Sequence, residues 1–182
     1  YIWEKGETRL HENEAAEILR EMCQGEYMHP TSVKEGKIEL VADIDGLLKV
    51  DSDKMKKING MGELMIASRH GNFAVKKGDK LAGTRIIPLV IEREKMEQAK
   101  AVCEGEPILE LKPFVHKKVG IVTTGNEVYY HRIEDTFTPV IKEKLAEYDT
   151  EVIGQEICND DHEKITKAIL SFIERGADLV LC

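Results

Sequence analysis

The sequence predicts an α/β protein made of two parts. After residue 118, apolar runs of strand length alternate with amphipathic runs of helix length, which is typical of a parallel sheet with helical crossovers. Between about residues 36 and 89, short strand patterns are separated by Gly-containing turns, which favours small antiparallel sheets. We therefore expect an α+β region with a small β-barrel-like part over residues 1–115. A three-layer α/β/α domain with an incomplete parallel sheet is expected over residues 116–182.

Composition and charge exclude several classes of protein. The 182 residues are 42% hydrophobic and 33% charged, as in soluble globular proteins, and no apolar run reaches the ~20 residues that span a bilayer. A net charge of -8 argues against a nucleic-acid binder. The cysteines lie far apart, which favours reduced thiols and a cytoplasmic location. The chain begins Tyr1-Ile2-Trp3, without an initiator Met or signal peptide, so we expect a fragment.

Three helices are predicted in the N-terminal part. The first is expected over residues 11–24, where apolar residues recur at helical spacing and acidic side chains crowd the first turn. A short second helix follows the capping sequence Asp51-Ser52-Asp53 and ends near Ile58. The third is expected from Glu92 to Glu104.

Short strands occupy the rest of this part. Lys37–Ile44 and Leu47–Val50 flank Asp45-Gly46, a turn dipeptide, and are predicted to form a β-hairpin. Gly78-Asp79 predicts a second hairpin turn. Further strands are expected at Leu64–Ala67 and Ile108–Leu111.

One pattern in this region resembles a carrier domain. Val75-x-x-Gly78-Asp79-x-Leu81-Ala82 is similar to the turn of barrel-sandwich folds, including lipoyl and biotinyl carrier domains. Asp53-Lys54-Met55 would then be the tip that carries a modified lysine. The alternative, which the capping pattern favours, is that Lys54 lies on a short helix.

The C-terminal part is organised around Lys118–Val128. Its apolar half predicts a buried parallel strand, and Thr123–Glu127 predicts a small polar turn. Because ligands of open α/β sheets bind beyond the carboxyl ends of such strands, we expect the chemical site here. The elements expected next are a helix at Thr138–Tyr148, a strand at Glu151–Gly154, a helix after Asn159-Asp160-Asp161 and a strand at Asp178–Cys182.

Four motifs follow one another in this part. They are Val119–Val128, Asp135-Thr136, Glu151-Val152 with Asn159-Asp160-Asp161, and Ala177–Val180. The ordered set resembles the molybdopterin-binding domain shared by molybdenum insertases, molybdopterin adenylyltransferases and gephyrin. Phe137 stands where that family has Asn, which removes one polar contact. The family's next element, Thr-Gly-Gly with an acidic loop, would follow Cys182.

The resemblance implies a ligand and a set of residues that bind it. The ligand is molybdopterin or its adenylylated form, with ATP or molybdate as further partners, and a homo-oligomer is implied because such domains often associate. Asp135 is the implied catalytic residue, and Glu127 and Asp135 could hold Mg²⁺, which prefers carboxylates together with substrate phosphate. The implied ligand-binding residues are Thr123, Thr124, Gly125, Asn126, Glu127, Thr136, Asp160 and Asp161.

Each of these residues also has a purely structural interpretation, which the sequence leaves open. Thr123–Gly125 can be a tight turn between strand and helix. Asp135-Thr136 can cap the first helix of this part, and Asp160-Asp161 can cap the second.

Four functional hypotheses remain at this point. The first is binding of molybdopterin or its nucleotide form in cofactor biosynthesis. The second is catalysis, as a transferase that adenylylates molybdopterin or inserts molybdate. The third is a nucleotide-processing relative of the competence-damage-inducible family, and the fourth is a regulatory or scaffold protein.

Overall fold

The computed structural model describes residues 8–182, so Tyr1-Ile2-Trp3, on which the expectation of a fragment rests, lie outside the described residues. An N-terminal unit ends at Pro113, and a C-terminal unit comprises Phe114–Cys182. Both units combine helices with strands, which confirms the predicted α/β class. Every helix among the described residues is too short or too polar to cross a membrane.

The N-terminal unit contains three helices and nine strands within its described residues. In chain order they are β1 (Arg9–His11), α1 (Glu12–Cys23), β2 (Met28–Pro30), β3 (Lys37–Ala42), β4 (Gly46–Val50), α2 (Ser52–Gly60), β5 (Leu64–Ser68), β6 (Phe73–Val75), β7 (Lys80–Ile86), β8 (Val90–Glu92), α3 (Arg93–Cys103) and β9 (Leu109–Pro113).

These strands form small antiparallel sheets around one core. One sheet has the order β2-β3-β7-β5, a second has the order β6-β4-β9, and β1 pairs with β8. The core draws fully buried side chains from both larger sheets and from the helices, such as Leu40, Leu48 and Leu19. This arrangement corresponds to the barrel-like part that the sequence predicts.

Both predicted hairpins are wrong, because the chain crosses between sheets at each turn. β3 and β4 flank Asp45-Gly46 but lie in different sheets, as do β6 and β7 on either side of Gly78-Asp79. The Asp45 carboxylate instead accepts a hydrogen bond of 2.7 Å from the Lys77 N–H, so the two turns bind each other. Gly46 allows β9 to approach, since a Cβ there would lie 2.5 Å from the Lys112 carbonyl oxygen.

The helices of this unit occupy the predicted segments. Asp51 caps α2 by accepting a hydrogen bond of 3.0 Å from the Lys54 N–H. The Lys54 side chain is 15% exposed, and its ammonium group lies 3.5 Å from the carboxylates of Asp51 and Glu106. Lys54 is therefore a paired helix residue, as the alternative interpretation of the carrier-like pattern requires.

The C-terminal unit contains a parallel sheet of three strands, as predicted. Its elements are β10 (Lys117–Thr124), α4 (Asn126–Tyr129), α5 (Phe137–Leu145), β11 (Thr150–Cys158), α6 (His162–Glu174) and β12 (Leu179–Leu181). The sheet has the order β11-β10-β12, so the strand with the leading motif lies at its centre.

Helices cover both faces of β10. Phe172 of α6 packs directly on Gly120, where a Cβ would lie 2.4 Å from the Phe172 Cγ. Val122 is on the same face and belongs to the same buried cluster as Phe172. Thr123 is on the opposite face, and its hydroxyl lies 2.9 Å from that of Thr138 in α5. The sheet therefore has a helix on each side, which gives the predicted three layers.

Two elements of this unit differ from the predictions. The residues after Gly125 form the one-turn helix α4 rather than a turn, and the Tyr129 N–H donates to the Gly125 carbonyl at 2.9 Å. β11 continues beyond its predicted end at Gly154 as far as Cys158. Residues 155–157 are exposed, since β11 lies at the edge of the sheet. The apolar pattern from which the strand was predicted therefore ends before the strand itself ends.

Candidate functional site

A pocket of about 230 Å³ lies at the carboxyl end of β10, in the C-terminal unit. Ligands of parallel sheets bind at such positions. Its lining includes two residues of β10, Thr123 and Thr124, and two residues just before α5, Asp135 and Thr136. The remaining lining residues are Val122, Val128, Ile133, Glu134, Phe137 and Cys182.

A network of four polar side chains supports this pocket. The Gln155 Nε2 of β11 lies 2.6 Å from Asp135 Oδ2, 2.7 Å from Thr138 Oγ1 and 3.3 Å from Thr123 Oγ1. Thr123 and Thr138 are each 3% exposed, so their hydroxyls need partners within the protein, and they find them in this network. The network joins β10, β11 and the beginning of α5.

Asp135 is the most constrained member of the network. Its Oδ1 accepts hydrogen bonds of 3.0 Å from the N–H groups of Phe137 and Thr138, and it thereby caps the first turn of α5. Its Oδ2 accepts from Gln155 and lies 3.5 Å from the Thr123 hydroxyl. A carboxylate has about four acceptor positions, so these partners account for all of them.

The hydrogen bonds also control the protonation of Asp135. Burial of the carboxyl group raises the pKa of Asp135, but hydrogen bonds from Thr138, from Gln155 and from the Phe137 N–H lower it more, so the pKa lies below its ordinary value. The carboxylate is therefore ionised at neutral pH. A general base works best with a pKa near the working pH, so this environment favours a positioning role for Asp135.

Gly125, Asn126 and Glu127 are not among the residues that line the pocket. Gly125 has a φ of +133°, which L side chains rarely adopt, and its N–H donates to the Cys158 carbonyl at 3.2 Å. The Asn126 N–H donates to the Asp160 carboxylate at 3.4 Å. Glu127 is exposed on α4.

The two acidic residues before α6 have separate contacts, and neither lines the pocket. Asp161 caps α6, because its carboxylate accepts from the N–H groups of Glu163 and Lys164 at 2.9 and 3.4 Å. Asp160 reaches back to the beginning of α4. Of the predicted ligand-binding residues, the pocket therefore brings together Thr123, Thr124 and Thr136, with Asp135 beside them.

The residues that build this pocket also match a known family. Residues 120–182 match the family model described as a probable molybdopterin binding domain. The match confirms the resemblance drawn from the ordered motifs, and it includes the whole lining of the pocket. It supports a role related to molybdenum cofactor biosynthesis or molybdopterin binding, without a specific activity. No curated protein and no solved structure matches the chain significantly.

The charges of the pocket favour one kind of ligand group over another. Glu134 and Asp135 make the lining acidic. The N–H groups of Phe137 and Thr138 already bind Asp135, and Pro139 has no N–H, so these three positions of α5 offer no free donor to an anion. This lining therefore suits N–H donors of a ligand better than anionic groups.

The predicted Mg²⁺ has no support in the donor set. Across residues 8–182, no group of three or more His, Cys, Asp or Glu side chains is close enough to hold a metal ion. The oxygens of Asp135 are already occupied, and Glu127 is not part of the lining. The residues do not fit an ion held by the protein, and no step of the proposed function depends on one.

Three residues of the molybdopterin-binding-like site were missed or undervalued in the sequence. Thr138 and Gln155 hold the network, but Gln155 lies beyond the predicted end of its strand and nothing local marks it. Phe137 removes one polar contact of the family pattern, but Phe137 lines the pocket and is 40% exposed. The bulky ring after Asp135-Thr136 was the available signal for an apolar wall.

Proposed function

We propose that the C-terminal unit binds molybdopterin, or its nucleotide form, in the pocket beyond β10. The observation that supports this most is that Thr123, Thr124, Asp135 and Thr136 line one pocket within the residues that match the family model. The pocket volume of about 230 Å³ is smaller than the roughly 300–1,000 Å³ of a complete small-molecule site. It therefore accommodates one end of the ligand.

The pterin end fits this lining best. Its ring carries amino and amide N–H donors, and the Glu134 carboxylate has no hydrogen-bond or ion-pair partner among the described residues. Phe137 offers an exposed aromatic ring on which a flat heterocycle can stack. Glu134 and Phe137 would thus recognise the ring by its edge and by its face.

Of the remaining polar residues, two can contact the ligand directly and two hold the wall of the pocket in place. Thr124 and Thr136 are exposed in the lining, so their hydroxyls can donate to the ligand or accept from it. Thr123 and Asp135 are engaged with Thr138 and Gln155, and they fix the wall from which the contacts are made.

The occupied carboxylate of Asp135 favours a binding protein over an enzyme at this site. Adenylyl transfer, molybdate insertion and hydrolysis of pyridine nucleotides each stay a hypothesis for the full-length protein. Assays with ATP, molybdate and pyridine nucleotides test them. Turnover that disappears in Asp135→Asn, while the variant remains folded, would assign a reaction to the site.

Binding is tested by titrating the chain with molybdopterin, released anaerobically from a molybdoenzyme, and following pterin fluorescence. We expect a saturable change in fluorescence and an affinity that Phe137→Ala weakens about two- to tenfold, since an aromatic stacking contact contributes about 0.5–1.5 kcal/mol. Glu134→Gln should weaken it as well. Repeating the titration with EDTA and with Mg²⁺ should give the same affinity, because the donor set does not fit the metal.

The matched control is Phe73→Ala, which removes a ring that is 62% exposed in the N-terminal unit. Phe73→Ala should bind as the unmodified chain does. No saturable response, or equal losses in Phe73→Ala and Phe137→Ala, would contradict the proposal.

A further inference from the structure

The N-terminal unit has a groove of about 410 Å³ on the solvent face of the β2-β3-β7-β5 sheet. Four cations border it: Lys37, Arg69, Lys80 and Arg85. Glu39 is the one acidic side chain in its lining. The groove is therefore positively charged, although the whole chain has a net charge of -8.

Small residues form the floor of the groove. Gly83 of β7 pairs with Glu39 of β3 on one side and with Ala67 of β5 on the other. A Cβ at Gly83 would meet no atom closer than the Lys37 Cε at 3.6 Å, so the space above the glycine is open. The long cationic side chains of the neighbouring rows therefore stand around a depression.

Two of the cations are placed directly opposite each other. Lys37 and Arg85 are cross-strand partners in β3 and β7, an arrangement that destabilises a sheet when the charges are alike. Lys37 is partly compensated by Glu39 at 2.6 Å. Arg85 donates only to the Ile86 carbonyl at 3.4 Å and has no acidic partner among residues 8–182. Its charge is therefore not compensated within the described protein.

Glu39 fixes the two lysines at the edge of the groove. Its carboxylate binds the ammonium groups of Lys37 at 2.6 Å and of Lys80 at 2.7 Å. Hydrogen bonds from Lys37 and Lys80 lower the pKa of Glu39 to about 2, so the carboxylate stays ionised at neutral pH. Glu39 therefore holds the two lysines as a pair, and Arg85 is the cross-strand partner of Lys37.

We propose that this groove binds a small soluble phosphorylated compound through Lys37, Lys80 and Arg85. Arginine forks and lysine ammonium groups are the side chains that bind phosphate oxygens most strongly. A bound dianion would also offset the repulsion between Lys37 and Arg85. A volume of about 410 Å³ matches a small molecule. The site belongs to the N-terminal unit and does not depend on the molybdopterin proposal.

The test uses inorganic pyrophosphate as the probe and the whole chain as the protein. Backbone amide signals are followed by NMR while pyrophosphate is added at constant ionic strength. We expect saturable shifts in β3, β5 and β7. Arg85→Gln should weaken binding about tenfold through the loss of a charge-assisted hydrogen bond. Lys112→Gln, which removes one charge from β9 of the other sheet, should leave the affinity unchanged.

A second variant separates binding from folding. Gly83→Val fills the floor with a side chain that suits a strand, and the glycine has an ordinary φ, so the fold should persist. Pyrophosphate binding should nevertheless be lost. Without ligand, Arg85→Gln should raise the urea midpoint, because it removes a like-charge neighbour.

Three results would overturn the proposal. One is the absence of saturable shifts, and another is unchanged affinity in both Arg85→Gln and Gly83→Val. The third is binding to phosphatidylcholine vesicles that contain phosphatidic acid without competition from pyrophosphate, which would identify a membrane surface as the partner instead.

Discussion

The two units of the chain bury their side chains to very different extents. The core of the N-terminal unit draws on all three of its helices and on both larger sheets. The buried cluster of the C-terminal unit consists of Val122, Cys158, Ala168 and Phe172. Phe172 is the largest completely buried side chain of the C-terminal unit, in which Val119, Ile121 and Val122 are also completely buried.

Exposed side chains show the same contrast. Helices α5 and α6 leave Val140, Leu170 and Ile173 about half exposed, at 49%, 50% and 55%. Because burial of apolar surface is the main source of folding free energy, the C-terminal unit depends on fewer groups. The Phe172 ring and the polar network around Gln155 therefore contribute a larger share of the folding free energy of this unit than comparable groups contribute in the N-terminal unit.

The largest expected loss of stability follows from removing the Phe172 ring. Phe172→Ala deletes the side chain that fills the space over Gly120, and such a change costs about 3–5 kcal/mol in a packed core. That loss is comparable with the whole stability of many small domains. We expect the C-terminal unit to open while the N-terminal unit stays folded.

Buried thiols measure the two units separately. Burial raises the pKa of the Cys23 thiol to about 12 and also raises the pKa of the Cys158 thiol, so both label slowly unless their unit opens. In Phe172→Ala, mass spectrometry after thiol labelling should show fast modification of Cys158 and slow modification of Cys23. The exposed Cys182 serves as the reference.

Leu48→Ala provides the reciprocal variant. Leu48 is fully buried in the N-terminal core. Its truncation to Ala should lower the free energy of unfolding of this unit by about 2–5 kcal/mol. It should accelerate the labelling of Cys23 and leave Cys158 slow. If Phe172→Ala labelled both thiols equally fast, the two cores would not be independent and the comparison would fail.

A smaller effect is expected from the buried threonines. The C-terminal unit has two, Thr123 and Thr138, and the N-terminal unit has Thr84. The Thr138 hydroxyl lies 2.9 Å from the Thr123 hydroxyl and 2.7 Å from Gln155 Nε2, whereas the Thr84 hydroxyl has the Ile38 carbonyl at 3.5 Å. Thr138→Val removes both of these short contacts and leaves the buried Thr123 hydroxyl with longer ones of 3.3 Å to Gln155 and 3.5 Å to Asp135, so it should cost about 1 kcal/mol.

Thr84→Val is the matched substitution and should cost less, because it breaks a longer hydrogen bond. Urea unfolding followed by circular dichroism measures both variants. Molybdopterin binding should weaken in Thr138→Val and stay unchanged in Thr84→Val. Equal destabilisation by the two substitutions would show that the polar network contributes nothing beyond ordinary burial.

Local sequence signals predicted the elements well in both units. Asp51 and Asp161 cap the helices that their positions indicated, and the apolar run before Thr123 forms the central strand of the sheet. The parallel sheet was predictable because short connections through helices leave few alternatives. Thr124 ends β10 and Thr136 directly precedes α5, so the sequence places both at the pocket; their role in binding stays a prediction.

The pairing of strands and the network of the site were not predictable in the same way. Asp45 binds the backbone of Lys77, far along the chain, and this contact redirects a turn that locally favours a hairpin. Gln155 reaches Asp135 and Thr138 from another strand. Both depend on tertiary contacts between distant residues, which no local pattern encodes.

The smallest expected effect is a dependence on pH that differs between the units. His116 Nδ1 lies 2.9 Å from Asp149 Oδ1, and its Nε2 lies 3.7 Å from Glu151 Oε2, which joins the residues before β10 to the beginning of β11. The hydrogen bond to Asp149 raises the pKa of His116 above its ordinary value of 6.5, with smaller contributions from Glu151.

The direction of the change in stability follows from the raised pKa of His116, because the folded state binds the His116 proton more tightly than the unfolded state does. The stability that His116 contributes is complete below pH 6.5 and is lost as the pH rises through the raised pKa.

Glu39 of the N-terminal unit depends on pH in the opposite direction. Its pKa is lowered from 4.5 to about 2, so its contribution to stability is lost only as the pH falls through that range. As the pH rises just above 6.5, well below the ordinary pKa of 9.0 of a thiol, we therefore expect the loss of the His116 contribution to weaken the C-terminal unit slightly. The measurement is the difference in urea midpoint between the unmodified chain and His116→Gln at several pH values, together with an NMR titration of the His116 ring. That difference should shrink as the pH rises, and Asp149→Asn should lower the pKa of the His116 ring toward its ordinary value. A constant difference would mean that His116 acts by packing, and the acidic residues beside it would then have no part in holding β10 to β11.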